Sequence, residues 1–138
     1  MLSEDIRNRL IEAAEQARKN AYAPYSGNFK VGAAVLTEDG SIFDGCNVEN
    51  SSFGATICAE RVAVFKAVCE GHRKIRAVAV VAESPHPIPP CGVCLQVISE
   101  FGPDADVIMA NTARETAVAN MKQLLPLVFK FGHSKFKE

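Results

Sequence analysis

The chain has 138 residues, 48% of them hydrophobic and 22% charged, with 15 Lys and Arg against 16 Asp and Glu. That size and mixture predict one domain over residues 1–138, able to bury about two-thirds of its unfolded surface without disulfide staples. A net charge of -1, with no basic cluster beyond the scatter over residues 130–137, argues against a general nucleic-acid surface. No apolar run approaches the roughly 20 residues that span a bilayer. The opening Met1-Leu2-Ser3-Glu4-Asp5 is acidic where a secretory signal would be basic, which gives the expectation of a cytoplasmic protein.

In chain order, Ser3 caps a first helix to about Asn20, with Leu2, Ile6, Leu10, Ala13, Ala14 and Ala17 as its apolar stripe. The stretch 23–28, rich in Pro, Gly and Asn, ends it. Residues 29–36 and 41–46 read as two strands around the turn Thr37-Glu38-Asp39-Gly40, a hairpin. Residues 47–56 are small and polar, hence loop. A second helix runs over about 58–70, stopped by Gly71, with Val62, Phe65 and Cys69 on one face. Residues 75–82 are β-branched or Ala almost throughout, the composition of a strand buried on both faces. Residues 84–90 hold four prolines and are loop. A third helix over 91–101, strands over 107–110 and 115–119 and a short helix over 121–125 complete the chain. A hairpin followed by helix–strand alternation predicts a three-layer α/β/α fold around a mixed sheet of about five strands.

The five cysteines are Cys46, Cys58, Cys69, Cys91 and Cys94. An odd count in an intracellular-looking chain points away from a disulfide framework. Cys46 and Cys69 have no ligand-spaced company and read as buried thiols packing like small hydrophobes. The other three differ. Pro90-Cys91-Gly92-Val93-Cys94 sets two thiols on one face of a helix's first turn, and Cys58 opens the other helix. Helix N-termini favour thiolate over thiol, so three sulfurs meeting there form a soft set suited to zinc. No fourth Cys or His stands at ligand spacing, since His72, His86 and His133 are isolated. Three protein ligands with one open position is the catalytic rather than the structural pattern. Glu60 follows Cys58 by two residues, and repulsion from the thiolates is expected to raise its pKa towards neutrality, fitting it to carry protons. The plainer reading of any single Glu is an exposed side chain.

With these motifs in view, the sequence resembles the cytidine deaminase family, whose zinc signature pairs a ligand-x-Glu with Pro-Cys-x-x-Cys. The resemblance extends from Tyr22-Ala23-Pro24-Tyr25-Ser26 through Phe29-Lys30-Val31-Gly32-Ala33-Ala34 and Gly45-Cys46-Asn47-Val48-Glu49-Asn50 to Leu124-Leu125-Pro126-Leu127-Val128-Phe129. It is greatest with the short, homotetrameric, three-cysteine branch. It implies one zinc per subunit on Cys58, Cys91 and Cys94, with Glu60 shuttling protons during hydrolysis of cytidine and 2′-deoxycytidine in pyrimidine salvage. It implies that Arg61 offsets the charge of the thiolates, that Asn47 and Glu49 hold the ribose, and that the Ala59 backbone meets the base carbonyl. Phe29 becomes the aromatic wall of the pocket and Phe129 a residue lent to a neighbouring subunit's site. By composition alone Phe29 and Phe129 would be core.

Three departures stand out. Gly27-Asn28 adds a residue before Phe29, Phe53 replaces a frequent Tyr, and Leu95 stands where the family usually has Arg, removing a possible cation near the metal. Two other readings are weighed. One is a deaminase of another cytosine compound such as blasticidin S, against which the intact Asn47-Val48-Glu49-Asn50 motif speaks. The other is a non-catalytic, zinc-stabilised binding domain, in which Glu60 would have no use. A nucleic-acid editor would need a basic groove that the sequence lacks.

Overall fold

The Ser3 hydroxyl accepts a hydrogen bond from the Ile6 amide at 3.2 Å and starts α1 (Glu4–Arg18), the first element of a computed structural model that describes residues 2–131. There follow β1 (Val31–Thr37), β2 (Ile42–Cys46), a 3-10 turn (Phe53–Ala55), α2 (Ala59–Cys69), β3 (Ile75–Ala82), α3 (Gly92–Phe101), β4 (Asp106–Asn111), β5 (Thr116–Asn120) and α4 (Met121–Leu124). The five strands form one mixed sheet in the order β2-β1-β3-β4-β5. Only β3 and β4 run parallel; the other pairs are antiparallel.

Side chains alternate across a strand, so β3 feeds two cores at once. Ala77, Ala79 and Val81 pack with Leu10, Ala14 and Ile108 beneath α1. Val78, Val80 and Ala82 pack with Ala63, Val64, Ile98 and Val107 beneath α2 and α3. The α/β/α layering and the mixed five-stranded sheet are as the sequence predicts. Two glycines let the helices close on the sheet. A Cβ on Gly45 would lie 2.6 Å from the Ala63 amide nitrogen, and one on Gly32 would overlap the Ala14 carbonyl oxygen.

Several details differ from expectation. The first helix ends at Arg18, and its stripe omits Ile11, which is buried. Strand β1 begins at Val31 rather than Phe29. Gly27 and Asn28 both adopt left-handed backbone, at φ 76° and 68°, which accommodates the extra residue, and the Asn47 side chain then binds the Phe29 and Val31 backbone. Strand β5 starts at Thr116 because the Glu115 amide is taken by Asn111. The loop 47–56 carries backbone bridges from Val48 to Tyr22 and to Ile57.

The face of α2 was predicted wrongly. Small residues Ala59, Ala63 and Ala67 press against the sheet, whereas Phe65 and Cys69 are exposed and Val62 is half-buried. Close approach at Gly45 needs small side chains, and the bulkier stripe is left to line an open apolar groove of about 520 Å³ with Phe43 and Ile57. Cys69 is therefore an exposed thiol and Cys46 a half-buried one, not core residues. His133 and most of the basic scatter lie outside the described residues.

The topology gathers one end of the sheet. Val31 opens β1 opposite Ala82 at the end of β3, Gly32 pairs with Cys46 at the end of β2, and Asn111 closes β4 beside Ala82. The N-termini of α2 and α3 meet the chain at this end, the usual place for ligands in open α/β sheets.

Candidate active site

Cys58 is the N-cap of α2 and Cys91 the N-cap of α3, and neither side chain caps its own helix. The sulfurs are thus free to turn outward beyond the helix ends. Cys94, one turn into α3, is buried and completes a group whose three sulfurs all lie within 4.8 Å of one another. Cys58 and Cys91 stand 3.8 Å apart. Sulfurs around a tetrahedral zinc, with bonds of about 2.3 Å, are spaced by about 3.8 Å, so this donor set fits the ion. Zinc is accordingly assigned to Cys58, Cys91 and Cys94. Among the described residues this is the one such cluster of Cys, His and carboxylates.

Arg61 Nη2 donates to Cys58 Sγ at 3.5 Å. The Cys94 thiol, Arg61 and the Cys91 thiol bring Cys58 down to about 5, well below the usual thiol range, against the opposing effect of its burial. Cys94 is pushed up, because it shares its proton with Cys58 and is buried beside Glu60. A second negative charge on this pair thus needs a cation. Leu95 offers none: it is buried in the core cluster with α2 and the sheet, so it acts there as packing. The charge near the sulfurs comes from Arg61.

Glu60 sits in the first turn of α2, only 4% exposed. Burial lifts its pKa to about 7, and the Cys58 charge adds to that. Repulsion by the thiolates, the cause that the spacing predicts, is the smaller contribution. Desolvation is the larger effect, because α2 presses this residue inward with its alanine face.

A cavity of about 270 Å³ joins these groups to the polar residues across the sheet end. Cys58, Glu60, Cys91 and Ala59 line one side, Asn47 and Glu49 another, and Phe29, Val31 and Val80 form apolar wall. Asn47 is nearly buried. Its Oδ1 accepts from the Val31 amide at 2.8 Å and its Nδ2 donates to the Phe29 carbonyl at 2.9 Å. One Glu49 oxygen accepts from the Tyr25 and Ser26 amides at 2.7 and 3.1 Å. Ser26 and those amides hold the carboxylate below its ordinary pKa. Phe29 is thus a cavity residue rather than core.

Phe129 is 68% exposed and does not line this cavity; its carbonyl accepts from Gln96 Nε2 at 3.0 Å. Phe53 is also exposed, its ring edge-on to Tyr25 with centroids 5.9 Å apart. Sequence reasoning missed Ile88 and Pro89, which line the cavity just before the Cys91 motif. Their place directly upstream of a metal ligand was the available signal.

Residues 4–111 match the family described as cytidine and deoxycytidylate deaminase zinc-binding region. A cytidine deaminase of Halalkalibacterium halodurans is 49% identical over 124 residues, covering 89% of this chain and 93% of that protein. The crystal structure of cytidine deaminase from Burkholderia pseudomallei is similar with a TM-score of 0.86 at 49% identity, over 93% of this chain and 100% of that one. A blasticidin-S deaminase of Bacillus cereus is 27% identical over 137 residues, 91% of this chain and 95% of that protein.

Proposed function

The chain belongs to the cytidine and deoxycytidylate deaminase zinc-binding family, and on that footing we propose that it hydrolyses cytidine and 2′-deoxycytidine to uridine and 2′-deoxyuridine, releasing ammonia. The observation that carries this reading is the meeting of three cysteine sulfurs and one buried, near-neutral carboxyl group at the wall of a nucleoside-sized cavity. Zinc, when bound, supplies a Lewis acid that makes water acidic enough to ionise near neutral pH.

The residues divide the remaining work. Glu60 accepts a proton from the attacking water and passes it to ring N3. It then takes the proton of the newly added C4 hydroxyl and hands it to the departing amino nitrogen, which leaves as ammonia. A pKa of about 7 suits both directions of transfer at neutral pH. The Ala59 backbone receives the base carbonyl, and Phe29 covers the ring. Asn47 and Glu49 hold the ribose hydroxyls with the hydrogen-bonding capacity left over from their backbone bonds. Arg61 lowers the negative charge on the sulfurs.

The enzyme acts as a single catalytic domain over residues 1–138, in pyrimidine salvage in the cytoplasm, and partners no nucleic acid. It assembles as a homotetramer with shared sites. The exposed Phe65 and Cys69 face of α2 and the exposed Phe129 support this assembly, since apolar surface of that kind gains by being covered. A blasticidin-type substrate is the weaker reading, given the Asn47-Val48-Glu49-Asn50 motif and the lower identity to that relative.

Loss of cytidine absorbance on incubation with purified protein, together with about one zinc per subunit by metal analysis, is the expected result. A zinc-loaded protein that leaves cytidine intact and deaminates another cytosine nucleoside would transfer the reading to the alternative. Removal of residues 129–138 should depress turnover with zinc retained. A fully active monomer on size exclusion would overturn the shared-site assembly.

A further inference from the structure

We propose that Asn111, at the far end of β4, is a positioning residue that sets Cys91 and the Ile88–Pro89 wall of the cavity through a proline-stiffened strut. The inference rests on the zinc-site reading above. Asn111 does not line the cavity, yet it is 2% exposed and both ends of its side-chain amide are bonded. Its Nδ2 donates to the Ser84 carbonyl at 3.1 Å and to Glu115 Oε1 at 2.8 Å, and lies 3.4 Å from the Pro85 carbonyl. Its Oδ1 accepts from the Glu115 amide at 2.9 Å. A buried amide with that many partners fixes what it holds.

What it holds is the root of the segment 84–90. Among the described residues, the only other hydrogen bond within that segment is from the Ser84 hydroxyl to the His86 carbonyl at 2.6 Å. Such a sparsely bonded segment would ordinarily be mobile. Here each residue of Ser84-Pro85-His86-Pro87-Ile88-Pro89-Pro90 either is proline or directly precedes one. Proline fixes its own φ and confines the residue before it to extended backbone. A chain with so little torsional freedom behaves as a strut, so a restraint at one end is felt at the other. The far end delivers Ile88 and Pro89 to the cavity and Cys91 to the N-cap of α3. Cys91 is the exposed member of the sulfur group and has no cap bond of its own. Its distance from Cys58 is therefore set by what stands before it.

The test compares three single variants of the zinc-loaded enzyme and the Asn111→Asp, Pro87→Gly double variant. Asn111→Asp keeps an acceptor for the Glu115 amide but loses the donor to Ser84 and to Glu115 Oε1, where it sets two carboxylates face to face. Pro87→Gly leaves Asn111 bonded and softens the strut. Arg114→Gly is the control: it sits on the same β4–β5 turn at φ 67°, where glycine is at ease, and removes only the ion pair to Glu15 at 2.8 Å. Zinc release to a chromogenic chelator, measured well below the unfolding temperature, should be about tenfold faster in Asn111→Asp and in Pro87→Gly, and near parental in Arg114→Gly. The double variant should release zinc no faster than the quicker single one, because both changes break one linkage. KM should rise with kcat less affected, through the displaced Ile88–Pro89 wall. If Asn111→Asp does not fold, Pro87→Gly alone decides. Parental zinc release in a folded Asn111→Asp or in Pro87→Gly, or an Arg114→Gly protein that reproduces the effect at equal loss of thermal stability, overturns the proposal. A parent protein that binds no zinc refutes instead the reading of the site itself.

Discussion

The two sides of the cavity are built on opposite principles. On the sulfur side, groups at two helix N-termini take their properties from one another, from Arg61 and from burial: Cys94, Arg61 and Cys91 bring Cys58 down to about 5, and burial lifts Glu60 to about 7. On the Asn47–Glu49 side, one oxygen of each side chain and one N–H of Asn47 are spent on the backbone of residues 25–31, so the side chains are as much fasteners as ligands. The first side is held ready for reaction, the second for shape. Changes on the first should therefore appear in kcat and metal binding, and changes on the second in KM and stability.

The largest expected effect is that of Glu60→Gln. Turnover should fall by at least about 10²–10⁴-fold, with zinc content and folding retained, since the amide fills the space but moves no proton. A variant keeping more than half the parental rate would remove Glu60 from the mechanism and break the contrast at its sharpest point.

Arg61→Ala comes next. Losing the hydrogen bond to Cys58 should cost about 10–100-fold in zinc affinity, read by competition with a chelator. Unchanged zinc affinity would show that the guanidinium is a bystander. Replacement by Lys should recover part of the loss, as a cation without the planar fork.

On the other side, Asn47→Ala removes the side-chain partners of the buried Val31 amide and the part-buried Phe29 carbonyl. About 3 kcal/mol of stability should be lost, together with a raised KM as Phe29 loses its anchor. Thermal denaturation beside steady-state kinetics separates the two. A raised KM at parental stability would mean that Asn47 is a ligand only.

Glu49→Gln should show the smallest effect, and one with a pH signature. The folded state lowers the Glu49 pKa from 4.5, so ionisation adds stability above that value, and the contribution fades as pH falls through the lowered one. The stability gap between parent and variant should accordingly be present at neutral pH and close in acid. A gap that is constant with pH would assign it to packing rather than charge.

The three clustered cysteines and the buried Glu60 beside them were legible as a group in the sequence from their spacing: Cys91 and Cys94 a turn apart, Glu60 two past Cys58. Strand β3 was legible for a similar reason, since burial on both faces leaves little but Val, Ile and Ala. The outward stripe of α2 was not. Val62, Phe65 and Cys69 have the periodicity of a core face, and only the contact of α2 with Gly45 turns the alanine face inward instead.

By itself, then, the sequence determined which atoms are available for chemistry, the sulfurs and one carboxyl group, and the rough order of elements that present them. Those properties are local: a helix start, a spacing, a run of β-branched residues. The tertiary structure alone decided that Glu60 is dehydrated, that Leu95 is packing and not a missing charge, and that Asn47 and Glu49 bind the chain as well as the cavity. It also decided that Asn111, twenty residues beyond Cys91, stands at the root of the loop that carries it. Burial and hydrogen bonds between distant segments depend on how the sheet brings the ends of β1, β2, β3 and β4 together, and no window of sequence contains that information.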